Sequence, residues 1–478
     1  MSGVGGYVAD IDEWGTNSTA AYFERNSIKI TATFKENVSL GLLYHNIKLR
    51  QSCVLKVTGI PEGCDAFLDD RLGNRFYMSE DGVYEIIPSN FLAEALYFSI
   101  EKYPERWYGS KLTIEQLPLY PGALVFDGVD DYGVCDNFPI LTKEKGYTVV
   151  VLRQWDQDFL NTTLTGGLLS TRNYSTGEGV AFEKIESSNK GYWNLGAGGI
   201  IDFAKSPFTW QTSKQYNNVG ILKGDKNHGK PLCVGCGLSG GQQCGRFAIW
   251  ELVFLDHDAT EEELTKIKDY FVKTYPWLFP DQAWTVVGKT NEDEDRATIA
   301  NITGNGNDLV LSNFGFAEGS GYNEEGEYAG YLVTDGVDDK IISSIFKMGN
   351  DWTVIGDWEL INTGKNDNAG IVKFDSIVIY NYNYNSVLIN IKNGRNILIP
   401  DQNTVNAICS DGRIYSKDWK ESIYNEETES TSKNFLTIGY LGNAYTKIAF
   451  KNLAIYPTVL SREDCIKAYN YLQTLKAK

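Results

Sequence analysis

A five-residue string that occurs twice constrains the fold of this chain more than any other feature. Asp-Gly-Val-Asp-Asp occupies residues 127–131 and again residues 335–339. The copies are 208 residues apart, since 335 − 127 = 208. This spacing is far longer than a solenoid period and is typical of a duplicated domain. We therefore expect one fold to occur twice, behind a different N-terminal part.

Charge and hydropathy exclude several classes of partner. The chain has 478 residues and a net charge of −18, and such a surface repels phosphate backbones and anionic lipids, so we expect no nucleic-acid partner. No stretch approaches the roughly 20 apolar residues of a membrane span, so we expect no membrane insertion. The first 15 residues lack the basic and apolar regions of a secretion signal.

The residue pattern predicts a mainly β fold. Runs of β-branched and aromatic residues alternate with Gly, Asn and Asp turns, and aromatic residues make up 13% of the chain. Residues 1–117 are predicted to form a polar arm and a small β-sandwich for attachment. The alternating runs that indicate this sandwich are 27–34, 52–57, 97–100 and 112–114.

The rest of the chain divides into two predicted domains, residues 118–283 and 284–478. In each, a Val/Thr-rich strand follows the duplicated string, and a late strand is followed by a helix. Thr260 and Ser461 are the predicted N-caps; Glu263 completes a capping box, which Asp464 imitates. The predicted apolar stripes of the two helices are Leu264, Ile267, Tyr270 and Phe271, and Cys465, Tyr469, Leu472 and Leu475.

These strings resemble the LamG-type family of concanavalin A-like jelly-roll domains. The resemblance is carried by 126–132 and 260–264 in the first domain and by 303–308, 335–339 and 461–465 in the second. It implies that an N-terminal β-sandwich is followed by two jelly-roll sandwiches, each ending in a short helix. LamG-like domains are lectin-like, so host or mucosal glycans are implied ligands.

A second resemblance concerns the biological setting. Residues 112–118 and 289–322 are similar in sequence to structural proteins of phages that infect gut Bacteroides-type bacteria. This resemblance implies a virion component, such as a head or tail fibre, that is assembled with other virion proteins in the host cytoplasm. We also expect a homo-oligomer, for example a trimer, held by sheet or loop contacts because the sequence has no heptads.

Other functions stay open at this point. One is a purely structural spacer or decoration protein without a ligand. The others are a bacterial glycan-binding protein and a degenerate glycoside hydrolase. Laminarinase-like relatives of the jelly roll use Glu-x-Asp-x-x-Glu, which is absent here, and the acidic runs 292–295 and 426–429 have different spacing. His45, His228 and His257 lie outside known catalytic motifs, so we predict no catalytic residues and no enzyme.

The acids of the duplicated string are candidate Ca²⁺ ligands, because hard cations bind several oxygen atoms. The alternative, which we favour, is that Asp-Gly forms a turn in which the carboxylates cap backbone N–H groups. The candidate calcium ligands are Asp127, Asp130, Asp131, Asp308, Asp335, Asp338 and Asp339.

A cysteine cluster is a candidate zinc site. His228, Cys233, Cys236 and Cys244 have the number and type of ligands that structural Zn²⁺ takes. A second ligand pair is absent and the cysteines lie in an apolar run, so we favour buried free thiols. The other five cysteines, namely Cys53, Cys64, Cys135, Cys409 and Cys465, are also expected to be buried free thiols.

Aromatic residues are the candidate carbohydrate-binding groups. Tyr380, Tyr382 and Tyr384 alternate with asparagine, so a strand places the three tyrosines on one face, where they could stack on sugar rings. The alternative, which we favour, is an ordinary inner face of a sandwich. Trp193, Trp210 and Trp419 lie in loop-like sequence and are the other candidates.

Overall fold

The protein is mainly β, as predicted, and its strands pair almost entirely antiparallel. Contacts group the chain into two compact units, Met1–Asp127 and Gly128–Lys478. The computed structural model describes residues 3–4, 21–26, 29–35, 46–48, 53–86, 91–92, 95–139, 146–156, 159, 162–171, 181–184, 190–193, 200–202, 208–212, 231–238, 242–326, 328–344, 346–361, 370–374, 377–382, 386–391, 395–399, 405–416, 419, 421–423, 433–434, 436–441 and 444–477.

The first unit contains two antiparallel sheets. One has the strand order β2-β3-β10-β5-β8 and the other β4-β9-β6-β7, while β1 pairs with β11. The elements are β1 (Gly3–Val4), β2 (Ala21–Asn26), β3 (Lys29–Phe34), β4 (Asn46–Lys48), β5 (Cys53–Thr58), β6 (Asp65–Asp69), β7 (Arg75–Met78), β8 (Gly82–Ile86), β9 (Ala95–Glu101), α1 (Pro104–Trp107), β10 (Lys111–Leu117) and β11 (Leu124–Asp127).

Alternating burial explains why these residues form two sheets around one core. Along β3 every second side chain is buried, because residues two apart on a strand share a face. Ile30 and Phe34 of β3 pack in the same cluster as Leu55, Leu68 and Phe98 from both sheets. The described parts of the four alternating runs are therefore strands, as predicted; residues 27, 28 and 52 lie outside the described residues.

The first repeat of the second unit also contains two sheets. One has the order β22-β13-β18, and the other β12-β19-β14-β15-β16-β17 with β20 and β21 beside β14. The elements are β12 (Gly133–Cys135), β13 (Thr148–Trp155), β14 (Gly166–Ser170), β15 (Ala181–Lys184), β16 (Lys190–Trp193), β17 (Ile200–Asp202), β18 (Phe208–Thr212), β19 (Leu232–Val234), β20 (Cys236–Leu238), β21 (Gln242–Cys244), β22 (Arg246–Leu255), α2 (Glu261–Thr274) and a 3₁₀ turn (Pro276–Leu278).

The second repeat has larger sheets. Their orders are β26-β27-β42-β30-β35-β36-β37, with β23 also on β42, and β24-β25-β28-β39-β31-β32-β33-β34. The elements are β23 (Gln282–Thr285), β24 (Thr298–Ile299), β25 (Leu309–Ser312), β26 (Gly321–Tyr322), β27 (Leu332–Val333), β28 (Lys340–Ser343), β29 (Phe346–Lys347), β30 (Thr353–Leu360), β31 (Gly370–Phe374), β32 (Ile377–Tyr382), β33 (Ser386–Ile391), β34 (Arg395–Ile399), β35 (Val405–Cys409), β36 (Arg413–Ser416), β37 (Glu421–Ile423), β38 (Lys433–Asn434), β39 (Leu436–Ile438), β40 (Tyr440–Leu441), β41 (Ala444–Tyr445), β42 (Ile448–Tyr456) and α3 (Arg462–Gln473).

The strand orders of the two repeats correspond to each other, as expected for a duplicated domain. The series β12-β19-β14-β15-β16-β17 of the first repeat corresponds to β28-β39-β31-β32-β33-β34 of the second, and β22-β13-β18 corresponds to β42-β30-β35. Even the irregularity is shared, since β13 and β30 each have a register shift after their fifth residue, at Leu152/Arg153 and Asp357/Trp358. The domain boundaries after residues 117 and 283 stay predictions.

Both repeats end in the predicted capped helix. Thr260 and Glu263 form a complete capping box on α2, and the Ser461 hydroxyl accepts a hydrogen bond from the Asp464 N–H on α3. The predicted apolar stripes are buried or partly buried except at Tyr270, which is 54% exposed. The prediction for Tyr270 was wrong. Adjacent helix residues point in different directions, and here Phe271 faces the core while Tyr270 faces solvent. No helix in the described part of the chain is long and apolar enough to span a membrane.

The two repeats of the second unit pack against each other through α3. The Tyr471 ring of α3 lies edge-on to Trp250 of β22, with ring centroids 6.5 Å apart, and its hydroxyl donates to Gln154 of β13 over 3.4 Å. The connecting segment is itself structured, since β23 pairs antiparallel with β42 from Gln282 opposite Ile455 to Thr285 opposite Asn452.

Candidate functional site

The duplicated string forms a tight turn that carries the chain from one sheet to the other. In the second repeat it follows β27, which pairs with β42, and precedes β28, which pairs with β25 and β39. The Asp335 carboxylate accepts hydrogen bonds from the N–H groups of Val337 (2.7 Å), Asp338 (3.2 Å) and Asp339 (3.4 Å). Asp335 therefore acts as an Asx-turn cap, which is the structural alternative favoured above.

Asp339 closes the same turn from its other end. Its Oδ2 accepts from the Asp335 N–H at 2.7 Å, and its Oδ1 accepts from the Ser320 hydroxyl at 3.1 Å. The residue is only 1% exposed, and burial raises the pKa of its carboxyl to about 6, with the nearby Asp335 and Asp338 charges adding to the effect.

The carboxylates in each copy are nevertheless close enough to share a cation. One oxygen from each of Asp335, Asp338 and Asp339 lies within 4.8 Å of the others, and the same holds locally for Asp127, Asp130 and Asp131. Oxygen donors at this separation suit a hard cation such as Ca²⁺. The calcium hypothesis stays a prediction, because the hydrogen bonds of Asp335 and Asp339 explain the turn without an ion.

Asp308 is not one of the carboxylates gathered at the second turn. Its Oδ1 accepts from the Asn301 N–H at 2.8 Å, at the base of the turn formed by residues 303–308. The Asn301 side chain, 6% exposed, holds this turn by donating to the Gly306 carbonyl oxygen and accepting from the Thr303 N–H. Asp308 thus has a structural role in this loop.

A glycine is required at the second position of both strings. Gly128 and Gly336 have φ values of +79° and +74°, which L-amino acids with side chains rarely adopt. A Cβ atom would lie 2.9 Å from the Arg246 Cβ in the first copy and 3.1 Å from the Lys447 nitrogen in the second. Each turn therefore presses against the start of its repeat's long final strand.

A buried threonine performs the same task in both repeats. The Thr148 hydroxyl donates to the His257 carbonyl oxygen (2.9 Å) and accepts from the Ala259 N–H (2.7 Å). The Thr353 hydroxyl donates to the Thr458 carbonyl oxygen and accepts from the Leu460 N–H, both at 2.9 Å. We call this pair of contacts the threonine clamp; it fixes the loop that leads into the terminal helix.

The three cysteines of the candidate zinc site are buried together in the first repeat. Cys236 lies opposite Cys244 in the β20–β21 ladder, and burial raises the pKa of the Cys233 thiol. Cys233 and Cys236 share a side-chain hydrogen bond, but the three sulfur atoms are not all within 4.8 Å of one another, and His228 lies outside the described residues. This arrangement favours the buried-thiol alternative over zinc.

Trp419 is a core residue, so its prediction as a sugar-stacking group was wrong. It is 2% exposed and packs against Tyr415 and Tyr469, with ring centroids 6.2 and 5.7 Å away. Its carbonyl oxygen accepts from Arg462 at the start of α3. The loop-like sequence around Trp419 gave no sign that a helix covers this loop.

The other aromatic candidates lie on strands. Tyr380 and Tyr382 belong to β32, as predicted, opposite Leu388 and Ser386; Tyr384 lies outside the described residues. Trp193 ends β16 and Trp210 lies within β18, so the prediction of loops for these two residues was wrong. Trp193 lies opposite Phe182 of β15, and Trp210 lies opposite Val150 of β13. Local sequence spacing could not reveal these strand pairings.

One pair of side chains was not anticipated as a pair. Cys409 of β35 and Cys465 of α3, both fully buried, share a thiol–thiol hydrogen bond. The bond lowers the pKa of the Cys409 thiol and raises that of Cys465. The sequence offered one signal, because Cys465 takes the place in its helix that Leu264 takes in α2, four residues after the N-cap.

Comparisons with known proteins add no family. No protein-family model and no curated protein matches the chain. Solved structures with local similarity include a botulinum neurotoxin serotype D ligand-binding domain in complex with N-acetylneuraminic acid (10% identity, 40% of this chain, 50% of that chain, TM-score 0.30). The type G receptor-binding domain (12%, 40%, 50%, 0.26) and the binding domain of Paraclostridial Mosquitocidal Protein 1 (12%, 39%, 51%, 0.27) are similar to the same extent.

These matches span about half of each toxin domain. TM-scores near 0.3 do not define a shared fold, so what those domains bind is not transferred to this chain. The class that the structure itself defines is a mainly β protein with a duplicated two-sheet repeat. The LamG relationship and the phage origin stay predictions.

Proposed function

We propose that this chain is a non-enzymatic structural protein of a bacteriophage particle, in a head or tail fibre or another appendage, whose repeats bind glycans weakly. One observation carries the glycan part: both repeats place candidate aromatic residues on strands at neighbouring positions of the two corresponding sheets. Trp193 lies on β16, and Tyr380 and Tyr382 lie on β32; in the matched strand orders these are neighbouring positions.

The construction of the second turn supports a structural role. Asp335 and Asp339 are used by backbone and hydroxyl donors, so these acids serve the turn rather than a hydrolytic reaction. The phage setting is supported by the sequence resemblance of residues 112–118 and 289–322. Assembly with other virion proteins in the host cytoplasm belongs to the same proposal.

A glycan array with the full chain tests the binding function. Stacking of a sugar on an aromatic ring requires that ring, so we expect Tyr380→Ala/Tyr382→Ala and Trp193→Ala to lose the glycan signal. Tyr270→Ala is the matched control, because Tyr270 is an exposed tyrosine on α2, outside the sheets. Equal loss in the control, or an unchanged signal in the strand variants, would contradict this assignment.

Weak sites gain strength only when several act together. Multivalent display can increase apparent affinity by about 10²–10⁴-fold, so we expect array binding to depend on a homo-oligomer, such as a trimer. Sedimentation analysis of the same preparation gives the oligomeric state. A monomer that binds as strongly as the oligomer would argue against this multivalent mode.

Immunogold labelling of purified phage particles tests the virion role and identifies the labelled part. Absence of label from particles of a phage encoding this chain would overturn that role. Labelled particles together with a silent glycan array would select the spacer or decoration protein, which the burial of Trp419 favours. Release of oligosaccharides from a polysaccharide mixture would instead select a glycoside hydrolase.

A further inference from the structure

The helix α3 holds the second repeat together and also contacts the first repeat. Towards its own repeat, Gln473 donates to the Asp357 carboxylate at 3.0 Å and Arg462 donates to the Trp419 carbonyl oxygen at 3.1 Å. Towards the first repeat, Tyr471 packs on Trp250, and Lys467 lies 4.5 Å from the centre of the Trp277 ring. Anything that fixes α3 therefore stiffens the junction between the repeats.

The only described cysteine of α3, Cys465, lies against a second cysteine. Its partner Cys409 is the last residue of β35, neither cysteine is in a disulfide, and both residues are fully buried. The Cys409 sulfur also lies 3.7 Å from the Thr353 hydroxyl of the threonine clamp. Packing thus holds two thiols in contact between a strand and a helix that are 56 residues apart in sequence, since 465 − 409 = 56.

The first repeat provides an internal comparison. Thr148 pairs with Thr212 in the same register in which Thr353 pairs with Cys409, and Leu264 takes the position of Cys465. The duplicated frame therefore does not require cysteine at either position. The second repeat differs from the first by having two thiols at this strand–helix contact.

We propose that Cys409 and Cys465 are a modification site, a latent disulfide that forms when the protein meets a disulfide oxidant and that locks α3 onto its sheet. With glutathione disulfide, the Cys409 thiolate attacks one sulfur and releases one glutathione thiolate. The Cys465 sulfur then attacks the Cys409 sulfur and releases the second. Two protein thiols become one disulfide, and their two protons and two electrons leave on two molecules of glutathione.

The order of attack follows from the environment of the thiols. The hydrogen bond from Cys465 and the Arg413 charge lower the pKa of the Cys409 thiol, so we assign the first attack to Cys409. Both residues are buried, so the oxidant reaches them only when α3 opens locally. The reaction is therefore expected to be slow in the folded protein.

Mass spectrometry of the intact, reduced protein after incubation with glutathione disulfide tests this site. Trypsin releases residues 396–413 and 463–467 as the peptides that contain Cys409 and Cys465. We expect these two peptides to be linked, with a mass two hydrogens below their sum, and to separate on reduction. Cys135→Ser, which removes an exposed cysteine, should leave this link unchanged.

Hydrogen exchange reports the mechanical consequence. Oxidation should slow exchange across α3 and leave α2 unchanged, because α2 carries Leu264 at the matching position. Cys409→Thr/Cys465→Leu, which places the residues of the first repeat in the second, should abolish both the link and the slowing. If Cys409 and Cys465 remain fully alkylatable after oxidation of the folded wild-type protein, the proposal is wrong, whatever the folding of the variants.

Discussion

The two copies of the Asp-Gly-Val-Asp-Asp turn have identical sequences but different surroundings. In the first copy Asp131 is half-buried, whereas its counterpart Asp339 is 1% exposed. The difference comes from the entrance of the second repeat, where the segment between β25 and β26 reaches the turn. From this segment, Ser320 donates to Asp339 and Asn313 donates to the Asp338 carbonyl oxygen.

This comparison separates what the turn needs from what its context adds. Both copies need the glycine at positive φ, and both repeats need the threonine clamp. The buried acid is added by one context only. A motif therefore predicts its own backbone geometry well, and it predicts the electrostatics of its side chains poorly.

Removal of the threonine clamp should have the largest effect. Thr148→Val and Thr353→Val keep the shape of the side chain but leave a buried carbonyl oxygen and N–H group without partners. We expect each variant to lose about 2–3 kcal/mol in the free energy of unfolding, as measured by denaturant titration. Similar losses in both would support the duplication, and a loss in only one would show that the clamps are not equivalent.

The turn glycine should come next. Gly128→Ala and Gly336→Ala introduce a Cβ at positive φ and against the final strand, so we expect a cost of about 1–2 kcal/mol in each. Gly349→Ala is the control, because its nearest neighbour is 3.8 Å away and its φ is not positive. If thermal melts show that Gly349→Ala lowers the melting temperature as much as the turn variants do, the turns do not require glycine at this position.

The pH dependence of stability should distinguish the two copies. Burial raises the pKa of Asp339 from its ordinary 3.8 to about 6, so between these pH values the folded protein holds a proton that the unfolded chain releases. Stability from this group is therefore fully present below about pH 4 and is lost as pH rises through 6, by an amount on the order of 3 kcal/mol.

Asp339→Asn should remove the decrease in the free energy of unfolding between pH 4 and 6. The altered hydrogen bond should add only an offset that does not depend on pH. Asp131→Asn is the matched variant in the first repeat, and its effect should be smaller because solvent reaches the half-buried side chain. Unfolding titrations at several pH values measure both. An unchanged slope in the Asp339 variant would place the titrating group elsewhere.

Calcium should have the smallest effect. The oxygens of Asp335 and Asp339 already accept hydrogen bonds within the turn, so we expect Ca²⁺ to shift the melting temperature little compared with a chelator control. A saturable rise with Ca²⁺ that disappears in Asp338→Asn, a residue with an exposed side chain, would instead establish a metal site at the second turn.

Much of the fold could be predicted because it depends on local patterns. The alternation before Phe34, the capping residues Thr260 and Ser461 and the repeated string each act within a few residues. The site could be predicted less well, because burial depends on distant partners. Trp419 is covered by α3, and Cys465 meets Cys409, across gaps that no local pattern spans.

The way β23 joins the repeats bears on how such a protein would carry load. The chain leaves the 3₁₀ turn at Leu278 and within four residues enters a strand that is hydrogen-bonded to β42. The repeats are thus joined by a short segment that is itself hydrogen-bonded into a sheet. Rotating one repeat against the other requires several backbone hydrogen bonds to break together. The junction between these two repeats would therefore transmit tension with little compliance.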